Sequence, residues 1–139
     1  MQTRVLTTGV FDLFHVGHLH ALKTAKSYGD ILIVGVHNDD AVESYKRRPI
    51  IDFQSRMEII TALACVDEVV EAPVKITDEF YRHHRINTHI QGNDVLDQYE
   101  DGKRLGIIQF VERYEHIDTT DIIAHITHRF NELDNAKRP

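Results

Sequence analysis

Hydrophobic and polar positions along this chain switch repeatedly between the strand and the helix period. Arg4-Val5-Leu6-Thr7-Thr8 reads as a short strand, and Leu19, Leu22 and Ala25 then recur at threes, which marks one buried face of a helix. Strand therefore gives way to helix somewhere between Gly9 and Gly17. Ile31-Leu32-Ile33-Val34-Gly35-Val36 is an unbroken apolar run rich in β-branched residues, the pattern of a parallel strand covered on both faces, and it is expected beside the first strand. Beyond a polar segment ending at Pro49, the pattern predicts a helix over Phe53 to Ala64, a strand over Glu68 to Val70 and a helix over Asp78 to His84. Thr88 to Gln91 and Ile107 to Val111 are two further strands, and Ile122, Ile123, Ile126 and Phe130 lie on one face of a C-terminal helix.

This alternation predicts an α/β protein with a five-stranded parallel sheet and helices on both sides. In such a sheet a ligand sits at the carboxyl ends of the strands, where the winding reverses. The chain shows no internal repeat. One domain is expected over residues 1–133, with 134–139 as a tail.

The 139 residues suffice for one core without disulfides or a structural metal. Lys and Arg number 16 against 22 Asp and Glu, a formal charge of -6, and the cations form no basic face, which argues against nucleic-acid binding. The single cysteine, Cys65, lies in an apolar run and reads as a small core residue in a reducing compartment. No apolar run approaches the roughly 20 residues of a membrane span, and the N-terminus enters the first strand without a signal-peptide pattern. A cytoplasmic location is expected.

The segment after the first strand carries the candidate chemistry. It lacks the G-x-G-x-x-G spacing of dinucleotide-binding dehydrogenases. Instead, His15 and His18 flank Gly17 at a predicted helix start, where donors and a positive dipole end can meet an anion and a glycine admits close approach of a phosphate. Half a metal site, or two surface histidines, would have the same spacing. His83-His84 and the pair His125 and His128 have no accompanying cysteine or carboxylate pattern for zinc and read as solvated; no metal site is expected from them.

Gly9-Val10-Phe11-Asp12-Leu13-Phe14-His15-Val16-Gly17-His18 resembles the H-x-G-H signature of the nucleotidyltransferase superfamily, especially its cytidylyltransferases. Val34 to Asp40, Arg56, Val66 to Val70, Gln91 to Asp94 and Asp118 to Ile122 resemble further blocks of that family in the same order, so the likeness covers Val5 to Phe130. The resemblance implies a Rossmann-like three-layer α/β sandwich, and a homodimer that uses Mg2+ with CTP and transfers CMP to phosphoethanolamine, phosphocholine or glycerol 3-phosphate. H-x-G-H by itself also marks adenylyltransferases. Carried over by position, His15, His18 and Lys46 are the catalytic candidates. Thr8, Gly9, Val10, Phe11, Gly17, Gly92, Asp94, Arg113 and Thr119 are expected at the nucleotide, and Asp12 and Arg56 at the alcohol phosphate. Ordinary alternatives are a solvated loop charge for Lys46 with Arg47 or Arg48 as the contact, a surface salt bridge for Arg56, a turn cap for Asp12 and a helix cap for Thr119 or Thr120.

The chain departs from the family in the segment that holds the triphosphate, where His116 replaces a glycine and Asp118 a serine. A carboxylate there costs affinity unless it caps the helix, turns outward or helps hold Mg2+. Asp118 thus leaves room for a non-catalytic nucleotide-binding module. The alcohol end also has a chemical signature. A quaternary ammonium is best held by an aromatic cage, yet the chain has no Trp, Val74 follows Ala72-Pro73 where the choline enzymes carry an aromatic, and Tyr81 and Tyr99 make a thin cage. Phosphoethanolamine or glycerol 3-phosphate is the expected acceptor.

Overall fold

The computed structural model describes residues 1–92, 97–114 and 116–135. Five strands, β1 (Arg4–Gly9), β2 (Ile31–Val36), β3 (Glu68–Glu71), β4 (Thr88–Gly92) and β5 (Ile108–Val111), form one parallel sheet in the order β3-β2-β1-β4-β5. As the sequence pattern predicts, β2 lies beside β1, and the two pair from Arg4↔Ile31 to Gly9↔Val36.

The apolar run of β2 is buried on both faces because helices cover both. On one side α1 (Val16–Lys26) and α3 (Phe53–Thr61) place Leu22, Ala25 and Ile60 against Val5, Leu32, Val34 and Val36. On the other, α4 (Asp78–His83) and the turn at 97–99 pack Tyr81 and Tyr99 against Leu6 and Ile33. Alternate residues of β1 thus enter different cores, the direct result of the two-residue period of a strand.

Side-chain caps set several helix starts. Asn38, Asp52 and Thr77 accept the amides of Ala41, Ser55 and Phe80. Two short helices escaped the sequence pattern: α2 (Asp39–Glu43), which lies in the polar segment before Pro49, and α5 (Glu100–Leu105). Neither is long enough to show a helical period. Helix α3 stops at Thr61, short of Ala64, and the expected C-terminal helix is split at Arg129 into α6 (Thr119–His128) and α7 (Phe130–Asp134), so that the apolar face of Ile122 to Phe130 bends. No helix among the described residues is long and apolar enough to cross a membrane.

The winding reverses at β1, which has β2 on one flank and β4 on the other. Its pairing with β4 is confined to Val5↔Thr88 and Leu6↔His89, whereas its pairing with β2 continues to Gly9. A crevice opens between β1 and β4 at their carboxyl ends, where ligands of such sheets are held.

Candidate active site

The crevice is a cavity of about 880 Å³. Its floor is the end of β1 from Thr7 to Asp12, its β4 side is Ile90 to Gly92, and the starts of α1 and α6 both open into it. Two helix N-termini directed at one cavity provide unpaired amides and positive dipole ends, a setting for a polyphosphate.

The turn from β1 into α1 is tight, with Phe11 and Leu13 in the left-handed region at φ 58° and 48°. Gly9 is needed beneath Phe11, because a Cβ there would lie 2.9 Å from the ring. Gly17, expected to let a phosphate approach, lines the cavity, and the fold needs a glycine there for its own packing as well. A Cβ at that position would meet the His15 imidazole at 2.7 Å and the Ile117 carbonyl at 3.0 Å, so the glycine makes room for protein atoms.

His15 is the N-cap of α1, and the two histidines form a reciprocal capping box. His15 Nδ1 accepts the Gly17 amide at 3.0 Å, and His18 Nδ1 accepts the His15 amide at 3.2 Å. With both Nδ1 atoms committed as acceptors, each neutral ring carries its proton on Nε2. The pair therefore presents hydrogen-bond donors while uncharged. Burial pushes the His18 imidazole down to about 4, with a further push from His15; Phe14 stacks on the ring and Phe11 meets it edge-on. Burial lowers His15 as well, against the pull of the Asp118 carboxylate.

Helix α6 closes the opposite side. Thr119 donates its hydroxyl to the Asp12 carbonyl at 3.0 Å and lies 3.4 Å from His15 Nε2, which binds the start of α6 to the start of α1. Asp118, the departure from the family pattern, is the N-cap of α6 and accepts the Asp121 amide at 2.7 Å. Its carboxylate thus has a structural use that the sequence comparison left open. Arg113 lines the cavity with its aliphatic stem over Gly92, where a Cβ would come within 3.2 Å.

Of the two residues expected at the alcohol phosphate, Asp12 lines the cavity and Arg56 does not. Asp12 is buried in the wall, with its carboxylate accepting the amides of Leu13, Ile50 and Ile51 at 3.1, 2.8 and 2.9 Å. Arg56 is 1% exposed and lies behind the wall, outside the lining. Its guanidinium donates to the carbonyls of Ile51, Val10 and His37 and pairs with Asp39 at 2.7 Å. Together they hold the segment after α2, which carries Lys46 and Arg47 into the cavity, against the end of β1. Lys46 is exposed there, with its ammonium over the Tyr45 ring. Arg48 instead bridges Asp40 and Glu43 on the surface.

Thr8, Gly9, Val10, Phe11, Gly17, Gly92, Arg113 and Thr119 all line the cavity with His15, His18 and Lys46. Asp94 lies outside the described residues. Of the two tyrosines considered for an aromatic cage, Tyr99 lines the cavity; Tyr81 does not, and its hydroxyl is bonded to His89 at 2.7 Å.

Sequence reasoning assigned no role to several lining residues, including His37, His20, Tyr114 and Gln91. His37 and Gln91 stand at the ends of β2 and β4, where the sheet rule directs attention; nothing local signals the stacking of His20 on Tyr114, whose centroids are 4.4 Å apart. Gln91 bridges the gap left where β1 and β4 part. Its Oε1 accepts the Thr8 amide and hydroxyl, each at 3.2 Å, and its Nε2 donates to the Thr8 carbonyl at 2.8 Å. Buried His89 donates from Nε2 to the same Oε1 at 3.0 Å, an orientation that requires Tyr81 to donate to His89 Nδ1. Among the described residues no group of three or more His, Cys, Asp or Glu converges as a metal site.

Five parallel strands wound out from a central crevice, with two helix starts directed into it, define a Rossmann-like α/β protein. The solved structure of a lipopolysaccharide core biosynthesis protein from Thermoplasma volcanium has the same fold, with a TM-score of 0.72 and 30% identity over 83% of this chain and 100% of that one. The chain belongs to the cytidylyltransferase-like family, whose model matches residues 6–125. The ethanolamine-phosphate cytidylyltransferase of Dictyostelium discoideum is 35% identical over 130 residues, 88% of this chain and 36% of that enzyme. A FAD synthase of Thermococcus sibiricus is 56% identical over 70 residues, 50% of this chain and 47% of that one. The chain spans between 32% and 40% of the length of the ethanolamine-phosphate cytidylyltransferases it matches.

Proposed function

We propose that this protein is a nucleotidyltransferase that takes CTP with Mg2+ and transfers CMP to a small phosphorylated alcohol, phosphoethanolamine or glycerol 3-phosphate, releasing pyrophosphate. The observation that carries this reading is the histidine pair, two neutral imidazoles whose Nδ1 atoms are held by main-chain amides so that each presents Nε2–H as a donor at the cavity, that of His15 in long contact with the Thr119 hydroxyl.

In this reaction a phosphate-monoester oxygen attacks the α-phosphorus of CTP, and the bond from that phosphorus to the β-phosphate oxygen breaks. The monoester has a second pKa near 6, so its oxygen is already ionised at neutral pH and no protein base is needed. What the protein supplies is position and charge stabilisation. His15 and His18 donate to the oxygens on which charge builds. Lys46 lies between the two anionic reactants, and Thr119, Arg113 and the α6 start hold the triphosphate. Among the lining carboxylates, Asp12 is saturated by amides and does not suit a metal. Asp118 caps α6 through Oδ1, and its Oδ2 would be the carboxylate oxygen to help hold Mg2+. The cation would neutralise charge on the departing pyrophosphate.

A second reading, adenylyl transfer, is favoured by the local likeness to a FAD synthase, a protein whose named product contains adenylate. A pyrophosphate-release screen separates the two by crossing CTP and ATP with phosphoethanolamine, phosphocholine, glycerol 3-phosphate and sugar phosphates. Faster release with CTP is expected; faster release with ATP would reverse the assignment, and nucleotide binding without turnover would select a binding module. Homodimer formation belongs to the same reading. Exposed Ile126, Phe130 and Leu133 on α6 and α7 offer an apolar surface for it, and sedimentation velocity tests the assembly.

A further inference from the structure

His37, at the end of β2, is 3% exposed, yet it is part of the cavity lining. Its Nδ1 lies 3.0 Å from the Ala72 carbonyl, an acceptor only, so Nδ1 carries the proton and Nε2 carries the lone pair. Nε2 has no hydrogen-bond partner among the described residues, and it is not sealed in the core, so it opens onto the cavity. Burial, together with the charges of Lys46 and Arg56, lowers the imidazole's pKa and keeps that lone pair available at neutral pH.

The ring is oriented by its bond to Ala72, and the main chain that carries it is fixed on both sides. The Arg56 guanidinium donates to the His37 carbonyl at 3.0 Å, and the His37 amide donates to the Gly9 carbonyl at 3.1 Å. Its polarity is opposite to that of His15 and His18, which present donors. A phosphate offers only acceptors and has nothing to give a lone pair. The cavity therefore contains one buried acceptor that neither the triphosphate nor the acceptor's phosphate can satisfy.

We propose that His37 Nε2 selects the head of the acceptor alcohol, accepting a hydrogen bond from an N–H or O–H group and disfavouring a fully methylated ammonium, which has no such donor. This rests on the transfer reaction proposed above. A site built around a buried acceptor discriminates strongly against a ligand that leaves it unpaired.

The test measures kcat/KM for phosphoethanolamine, glycerol 3-phosphate and phosphocholine, with CTP and again with ATP, in the wild type, His37→Phe and His37→Asn. Phe fills the space without a lone pair, while Asn restores an acceptor oxygen. Thermal melts establish that each variant is folded, and CTP affinity is measured by calorimetry without acceptor. The wild type should prefer at least one donor-bearing head over phosphocholine by about tenfold or more. His37→Phe should lower kcat/KM for that head by about tenfold, leave phosphocholine and CTP affinity within about twofold, and be partly rescued by His37→Asn. The stronger of the phosphoethanolamine and glycerol arms identifies whether the donor is N–H or O–H. Equal losses for all three acceptors, or a wild-type preference for phosphocholine, would overturn the role of His37 while leaving the transfer reaction standing. Absence of turnover with every acceptor and both nucleotides would remove the reaction and this inference with it.

Discussion

Asp12 Oδ1 accepts the main-chain amide of Ile51 at 2.9 Å, across 39 residues of sequence, while Oδ2 takes the neighbouring amide of Ile50 at 2.8 Å. One buried carboxylate after β1 thereby fixes the far end of the segment that brings Lys46 into the cavity. Asp12→Ala should cost about 2 kcal/mol or more in chemical denaturation, because three amides lose their acceptor, and should also lower kcat/KM through the freed segment. Unchanged stability and turnover would refute this role.

The histidine pair combines a capping role with a catalytic one, and substitutions can separate them. Asn is a good N-cap, so His15→Asn should melt near the wild type while losing about 100-fold in kcat with the Nε2 donor. His15→Ala should lose the cap as well, about 1 kcal/mol. His18→Ala should lower kcat to a similar extent. Near-normal turnover in these variants would remove the pair from the chemistry.

Lys46→Ala should reduce kcat/KM strongly, and Lys46→Arg should recover part of it, since a planar fork does not reproduce a compact ammonium. Arg47 lines the same cavity. If Arg47→Ala proves the more damaging change in the same steady-state assay, the reacting phosphates meet Arg47 and the assignment shifts by one residue.

Gln91→Met removes the carboxamide that bridges β1 and β4 while keeping its bulk. The KM for CTP should rise about tenfold, as the Thr8 end of the nucleotide floor loses its lateral support, with a smaller change in the KM of the acceptor. Equal changes in both would indicate general loosening.

The buried imidazoles set the direction of the pH response. His18 and His89 are pushed down to about 4 from an ordinary 6.5, so between those values the unfolded chain binds more protons than the folded one. Their contribution to stability is complete above pH 6.5 and is lost as pH falls toward 4, amounting to a few kcal/mol. Asp67, held low by Lys26, and Glu68, held low by Arg4, act in the same direction at still lower pH. Denaturation midpoints measured from pH 8 to pH 4 should fall mainly below pH 6.5; a flat profile down to pH 4.5 would show that these rings are not neutral by burial.

Much of the scaffold was legible along the chain. The apolar run of β2 coincides with its observed limits, the order of strands and helices follows the switch in period, and Gly9 to His18 marks the turn that opens the site. Periodicity succeeds where a long element has one environment per face, because burial then repeats at the element's own spacing. It failed at α2 and α5, which are too short to repeat, and at Arg129, where the apolar face continues although the helix does not.

The residue types at the cavity were present in the sequence, but their tasks depended on distant neighbours. Gly17 reads as space for a phosphate, and folding also brings the His15 ring and the Ile117 carbonyl against it. Asp12 and Arg56 carry charges that suggest substrate contact; folding brings Ile50, Ile51, Val10 and Asp39 to them and uses those charges within the wall. Asp118 was open between repulsion and capping until α6 placed the Asp121 amide on it. Local sequence determined which segments become strands and helices, since that depends on neighbours a few positions away. Only the tertiary structure decided which polar atoms remain for a ligand, because a hydrogen bond is satisfied by whatever the fold brings within about 3 Å, irrespective of its place in the chain.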